Sequence, residues 1–296
     1  MEHTYTQSWA SYQPGCMIFL LDQSGSMAEK FGYMQAGTDK RKCDAVATVL
    51  NSFLNELVLT NTIPRADGTP DVRPRADICV LGYEGNTIDP ILTGLLAGKE
   101  FVTLPELQLN PSDIEMRKKK EMDDTGAEFE VQVPFPIWVR PKAGGGTPMC
   151  AALRRARDLA AQWANNYPNS YPPVIINVTD GAATDGDPTP IAQEISQIST
   201  SDGRALLFSV HLTNLSEPTV KYPVSENDLP NDKYARLLFS ISSVIPENSR
   251  ALLETLLGRQ VPPGARGLIF NGDATSVRLM FQFASKPRTQ PLDLNR

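Results

Sequence analysis

Hydrophobic residues along the chain fall into two recurring kinds of segment. Short, unbroken apolar runs occupy Cys16 to Leu21, Ile78 to Leu81 within Ala76 to Tyr83, Val174 to Val178, and most of Ala205 to Leu212. Runs of this length suit strands buried on both faces, as in a parallel sheet. Between them, apolar residues recur at helical spacing. Val46, Val49, Leu50, Phe53, Leu54 and Leu57 predict a helix over Lys42 to Thr60. A second long helix is expected over Pro148 to Asn165, with Thr147 as its N-cap and Pro148 at its first position. Ile191, Ile195 and Ile198 mark a helix over Pro190 to Ser199. Helices over 232–244 and 249–257, a last strand over 267–270 and a closing helix over 273–283 complete the pattern. Strands alternating with helices predict an α/β fold: a Rossmann-like, doubly wound, mostly parallel central sheet with helices on both faces. Such sheets bind ligands outside the carboxyl ends of their strands, where the strand order switches.

Two stretches break the alternation. Asn61 to Arg75 is rich in Pro, Gly and Asp and reads as a loop. Phe101 to Leu104 and Val131 to Val139 look like strand pieces. Pro134 and Pro136 confine the second to an edge position. The whole of 105–140 reads as an insertion, partly mobile. The expected organisation is one domain over 14–285, with insertions near 61–75 and 105–140 and tails at 1–13 and 286–296.

Composition narrows the function. The formal charge is -6, and the one basic run, Arg117 to Lys120, is answered at once by Glu121, Asp123 and Asp124. A solvated segment is expected there, and no nucleic-acid partner. Cys16, Cys43, Cys79 and Cys150 form no Cys-x-x-Cys pair and read as buried free thiols. The first 13 residues lack the basic and apolar regions of a secretion signal. No apolar stretch approaches the roughly 20 residues that span a bilayer. No membrane association and a cytoplasmic location are therefore expected. His211 reads as structural, and Asp185 and Asp187 as a turn that caps the next helix.

The candidate chemistry lies at three separated points. The first apolar run ends in Asp22-Gln23-Ser24-Gly25-Ser26, the glycines 144–146 lead into Thr147, and the third run ends in Thr179-Asp180-Gly181. In a parallel sheet all three sit where strand tips meet helix starts. The donors are two carboxylates and three hydroxyls, without sulfur or imidazole. Hard oxygen sets of this kind select Mg2+, Ca2+ or Mn2+ over zinc or copper, and Mg2+ is the expected ion. The alternate spacing of Asp22, Ser24 and Ser26 lets one loop aim several side chains at a point, with Gly25 allowing a sharp turn.

Asp-x-Ser-x-Ser after an apolar strand, a Thr after glycines, and Thr-Asp-Gly after another strand resemble the metal-ion-dependent adhesion site of von Willebrand factor A (VWA) domains. The resemblance spans about residues 16–215, and looks most like stand-alone bacterial cytosolic members. It implies that Ser24 and Ser26 ligate the metal directly. Asp22 and Asp180 would bind it directly or through water, and Thr147 would enter or leave the shell. The last position would go to an Asp or Glu of a protein partner, so the implied role is a metal-dependent interaction module and not an enzyme. Adaptor roles in bacterial signalling, stress or defence, or ATPase-linked complexes fit that implication. Two other classes compete. A Mg2+-dependent phosphotransferase or phosphatase of haloacid-dehalogenase type needs a second Asp two residues after the first, and that position here is Ser24. A phosphate-binding Gly-Lys-Ser/Thr loop is also missing after Gly146. The third class is a structural subunit with a vestigial site.

Overall fold

A computed structural model of the protein describes residues 4–30, 40–122, 128–213 and 218–285. The elements in chain order are β1 (Gly15–Asp22), α1 (Lys42–Thr60), β2 (Thr62–Pro64), β3 (Pro70–Val72), β4 (Ala76–Glu84), β5 (Thr87–Pro90), β6 (Val102–Thr103), α2 (Leu104–Leu109), β7 (Asp113–Met122) and β8 (Glu128–Ile137). There follow α3 (Met149–Asn166), β9 (Val174–Thr179), α4 (Thr189–Ile195), β10 (Leu206–Leu212), β11 (Val220–Lys221), α5 (Lys233–Ile241), α6 (Glu247–Leu257), β12 (Leu268–Gly272) and α7 (Ala274–Ala284).

One large sheet runs β11-β12-β10-β9-β1-β4-β5, with β6 also on β4. Its central strands β12, β10, β9, β1 and β4 are mutually parallel, and β5, β6 and β11 add antiparallel edges. This is the doubly wound α/β architecture expected from the alternation. β1 is buried at all of its positions, and both neighbours bury it in register: Leu20 lies opposite Leu81 of β4 and Asn177 of β9. Alternate side chains of that single apolar run serve different cores. Met17, Phe19 and Leu21 face α1 and α7, where the Phe19 ring meets Phe53 at 5.9 Å and Phe281 at 4.9 Å. Ile18 and Leu20 belong to the opposite core, with Leu153, Ala156 and Trp163 of α3. Truncating Phe19 to Ala opens a cavity in the first core and costs about 3–5 kcal/mol.

The crossover from β1 through α1 enters β4 on one side of β1, and the chain later returns through α3 to β9 on the other side. The switch in strand order therefore falls between β1 and β9, and their carboxyl ends carry Asp22 and Thr179-Asp180.

Three expectations need correction. The loop over 61–75 contains a small hairpin, β2 paired with β3. The insertion over 105–140 is largely regular, with α2 closed by a reciprocal capping box between Thr103 and Glu106. It continues as a ribbon in which β7 and β8 pair only with each other, from Asp113–Ile137 to Met122–Glu128. Asp123 and Asp124 lie outside the described residues. In a two-stranded ribbon both strands are edges, which is how Pro134 and Pro136 are accommodated. Finally, α3 starts one residue later than expected and Thr147 does not cap it. Its first amides are taken by a distant carboxylate: Cys150 N donates to Asp185 Oδ1 (3.0 Å) and Ala151 N to Asp185 Oδ2 (2.8 Å). Asp187 lies one residue before the N-cap of α4, Pro188, and its Oδ1 accepts from Thr189 N at 2.9 Å.

The root of the ribbon is fixed to the body by one buried side chain. Asn51 of α1 accepts at Oδ1 from Trp138 N (2.9 Å) and Val139 N (3.0 Å), and its Nδ2 donates to Val139 O (2.8 Å). Residues 4–9 lie against the body, with Thr4 and Tyr5 amides on Asp202 O and Trp9 buried. Among the described residues no helix is long and apolar enough to cross a membrane.

Candidate metal centre

The carboxyl end of β1 delivers Asp22 into a loop that turns at once into a short 3-10 helix, Gly25–Ala28. Asp22 is 2% exposed, and both of its oxygens are engaged. Oδ1 accepts from Ser24 N at 2.8 Å, closing the Asx turn that bends the loop. Oδ2 accepts from Thr179 Oγ1 at 2.7 Å, joining the ends of β1 and β9. Burial pushes the Asp22 carboxyl above its ordinary pKa. The Ser24 and Thr179 hydrogen bonds oppose that shift, and the nearby Asp180 charge adds to it.

The hydroxyls form a chain across the cluster. Ser24 Oγ and Ser26 Oγ lie 3.1 Å apart, and Ser26 Oγ donates to Asp180 Oδ1 at 2.6 Å. The side chain of Asp180 is 0% exposed, and its other oxygen, Oδ2, accepts from Lys42 Nζ at 2.8 Å. Thr147 is buried on the third segment. Its amide donates to Thr184 Oγ1 (3.1 Å), and Thr184 N donates back to Thr147 O (2.9 Å). A methyl group added at Gly181 would stand 3.9 Å from Thr147 Oγ1, so Thr147 and the loop after Asp180 are in contact.

The glycines hold two of the segments, 22–26 and 144–147, together through backbone amides. Gly25 N donates to Gly145 O (3.0 Å) and Gly144 N to Gln23 O (2.7 Å). Gly145 has φ +70°, and a Cβ there would meet Gly85 N at 2.9 Å, so both conformation and space require glycine. Gly25, expected to turn the loop sharply, has no positive φ; its contribution is the N–H given to Gly145.

All five sequence-predicted residues, Asp22, Ser24, Ser26, Thr147 and Asp180, are thus gathered at the switch point. Among the described residues no group of three or more His, Cys, Asp or Glu side chains assembles as a metal site. The cluster carries only two carboxylates, with hydroxyls as its other donors. That set fits a hard cation. An octahedral ion with metal–oxygen bonds of about 2.1 Å spaces adjacent donors by about 3 Å, close to the 3.1 Å between Ser24 Oγ and Ser26 Oγ.

No family model matches the chain, and neither does any curated relative. One solved structure similar to it is manganese-loaded TRAP protein of Plasmodium vivax, at 15% identity and a TM-score of 0.37, covering 92% of this chain and 74% of that one. A likeness that distant carries no argument about this chain.

Several neighbours of the site carried no sequence signal. Lys42 opens α1 and reads as an ordinary surface lysine, yet its side chain is 3% exposed. Thr179 belongs to the Thr-Asp-Gly motif, which carries no sign that its hydroxyl would tie Asp22 to the end of β9. A cleft of about 370 Å3 opens beside the cluster between Ser26, Lys42, Asp180, His211, Asp232 and Phe270. His211 stacks on Phe270 at 4.3 Å, and burial lowers its pKa to about 4, so its ring is neutral at ordinary pH. Its Nδ1 has no hydrogen-bond partner. The Thr-Asp-Gly-Asp stretch at 184–187 gave a sign of capping, but not that Asp185 reaches back to α3.

Proposed function

We propose that this protein is a VWA-type interaction module that uses a divalent cation, Mg2+ in preference to Mn2+ or Ca2+, to capture an acidic side chain of a protein partner. The observation that carries the reading is the meeting of Asp22, Ser24, Ser26 and Asp180 through 2.6–3.1 Å contacts at the switch between β1 and β9, with Thr147 on the loop beside them. When bound, the ion supplies a Lewis-acidic position that accepts a carboxylate oxygen. Ser24 and Ser26 present their hydroxyl oxygens as direct ligands. Asp22 and Asp180 supply the negative charge, directly or through water. Thr147 stands ready to enter or leave the shell, because only its backbone is tied, to Thr184.

An enzyme is the less economical reading. Ser24 occupies the position where a phosphotransferase of this layout needs a proton-transferring Asp. His211 has an unpartnered nitrogen in the cleft, but it is stacked and its basicity is suppressed. The four free, buried cysteines suit a reducing compartment. That supports a cytoplasmic location, and the role proposed there is an adaptor in a bacterial signalling, defence, stress-response or ATPase-linked assembly.

The test is affinity capture from native lysate with wild type and Asp180→Ala, each in Mg2+ and in EDTA. A partner retained only by wild type in Mg2+ is the expected result. A partner retained equally in all four conditions would reject the metal-bridged mode.

A further inference from the structure

We infer that Lys42 is a tethered cation that competes with the divalent ion for Asp180 and thereby sets how tightly the centre holds metal. The inference rests on the metal-binding reading of the same cluster. Lys42 Nζ donates to Asp180 Oδ2 at 2.8 Å, with the two side chains 3% and 0% exposed. Lysine is seldom buried to this degree unless paired. The position is unfavourable on a second count: Lys42 is the first residue of α1, where the helix dipole repels a positive charge. Replacing a buried ion pair by apolar residues is often neutral or stabilising, so stability alone does not account for this one. Its consequence falls on Asp180, whose Oδ1 already accepts from Ser26 and whose Oδ2 is covered by the ammonium.

A divalent ion drawn to Asp180 meets that ammonium as a neighbouring like charge. The ammonium has somewhere else to go. Glu29 Oε2 lies 3.4 Å from Lys42 Nζ on a side chain 54% exposed, and the backbone of Lys42 is pinned to the same residue by an N–H donated to Glu29 O at 2.9 Å. Lys42 can therefore shift from Asp180 toward Glu29 without leaving the protein or moving α1.

The test titrates Mg2+, and separately Mn2+, into EDTA-stripped full-length protein by calorimetry at one fixed pH, with melting curves in parallel. Wild type, Lys42→Met and Lys42→Arg are compared. Removing a like charge a few ångströms from the ion should tighten metal binding in Lys42→Met by about tenfold or more. The same variant should melt below wild type in EDTA, where Asp180 is left without its partner, and gain more than wild type on adding metal. Lys42→Arg keeps the charge and should stay near wild type. A purely structural lysine gives the opposite sign: unchanged or weaker metal binding in Lys42→Met overturns the inference and leaves the metal reading standing. No metal bound by wild type or by Lys42→Met overturns both. Metal taken up by Lys42→Met alone supports the inference in its strongest form. Should Lys42→Met fail to fold, Lys42→Gln, which removes the charge while keeping a donor for Asp180, carries the same expectations.

Discussion

The loop cluster at the ends of β1 and β9 and the ribbon of β7 and β8 are both polar, but their charges work under different conditions. In the cluster, Asp22 and Asp180 are buried, and apart from the Ser24 amide on Asp22 their partners come from residues more than 130 positions away. In the ribbon, Lys118 pairs with Glu130 at 2.8 Å and Lys120 with Glu128 at 3.0 Å, diagonally across two strands and more than half exposed. Ile114 and Met116 are also open to solvent. Water screens the ribbon's pairs, and such pairs contribute about 0–1 kcal/mol. A buried carboxylate deprived of its partner costs several times more. Charge content alone therefore does not single out the candidate site; burial and sequence separation do.

Four measurements sharpen or break this contrast. The largest effect on metal binding is expected for Asp22→Ala and Asp180→Ala, which should weaken Mg2+ binding by about a hundredfold or more, since each removes half of the site's negative charge; calorimetric titration reads this directly. Next, Asn51→Ala strips three hydrogen bonds from the root of the ribbon. It should cost roughly 3–5 kcal/mol in urea unfolding, because the amides of Trp138 and Val139 are left buried and unpaired. If it costs under about 1 kcal/mol, the ribbon is not fixed to the body as described.

Third, His211 has its folded pKa lowered to about 4 by burial. The unfolded chain takes up that proton near pH 6.5, before the folded one does. Stability should therefore be intact above about pH 6.5 and fall as pH drops toward 4, by up to about 3 kcal/mol. Asp22, with its raised pKa, works in the opposite direction, so the difference between wild type and His211→Gln isolates the histidine. A variant with an unchanged pH slope would mean that His211 is not the titrating group. The smallest effect is expected for Lys118→Ala and Lys120→Ala, each within about 0.5 kcal/mol in unfolding. Neither should alter metal binding, and a change in partner capture would make the ribbon part of the binding face and break the contrast.

The same contrast explains what the sequence made legible. β1, β9 and β10 read clearly because strands buried on both faces are continuous apolar runs, and α1 was delimited as Lys42–Thr60 by its heptad-like spacing. Of the ribbon only part of β8 was legible, as the strand piece Val131 to Val139, and β7 hid because neither strand has a fully buried face. Glu-Met-Arg-Lys-Lys-Lys-Glu looks like solvated chain, and its order comes from cross-strand pairing. Ser24, Ser26, Thr147 and Asp180 were legible as a spacing motif. Lys42 was not, because nothing in Lys-Cys-Asp-Ala separates a surface lysine from one folded onto Asp180. Thr147 looked like a helix cap for want of any local sign that Asp185 would take that role.

One consequence of the strand order concerns time. The hydrogen bond from Thr179 to Asp22 and the ion pair of Lys42 with Asp180 close chain loops of 157 and 138 residues. Contacts of such high order form late, after local helices and hairpins. A ribosome-bound chain that has released β1, α1 and the whole ribbon still lacks Thr179 and Asp180, so the cluster at the switch point cannot assemble until β9 has emerged.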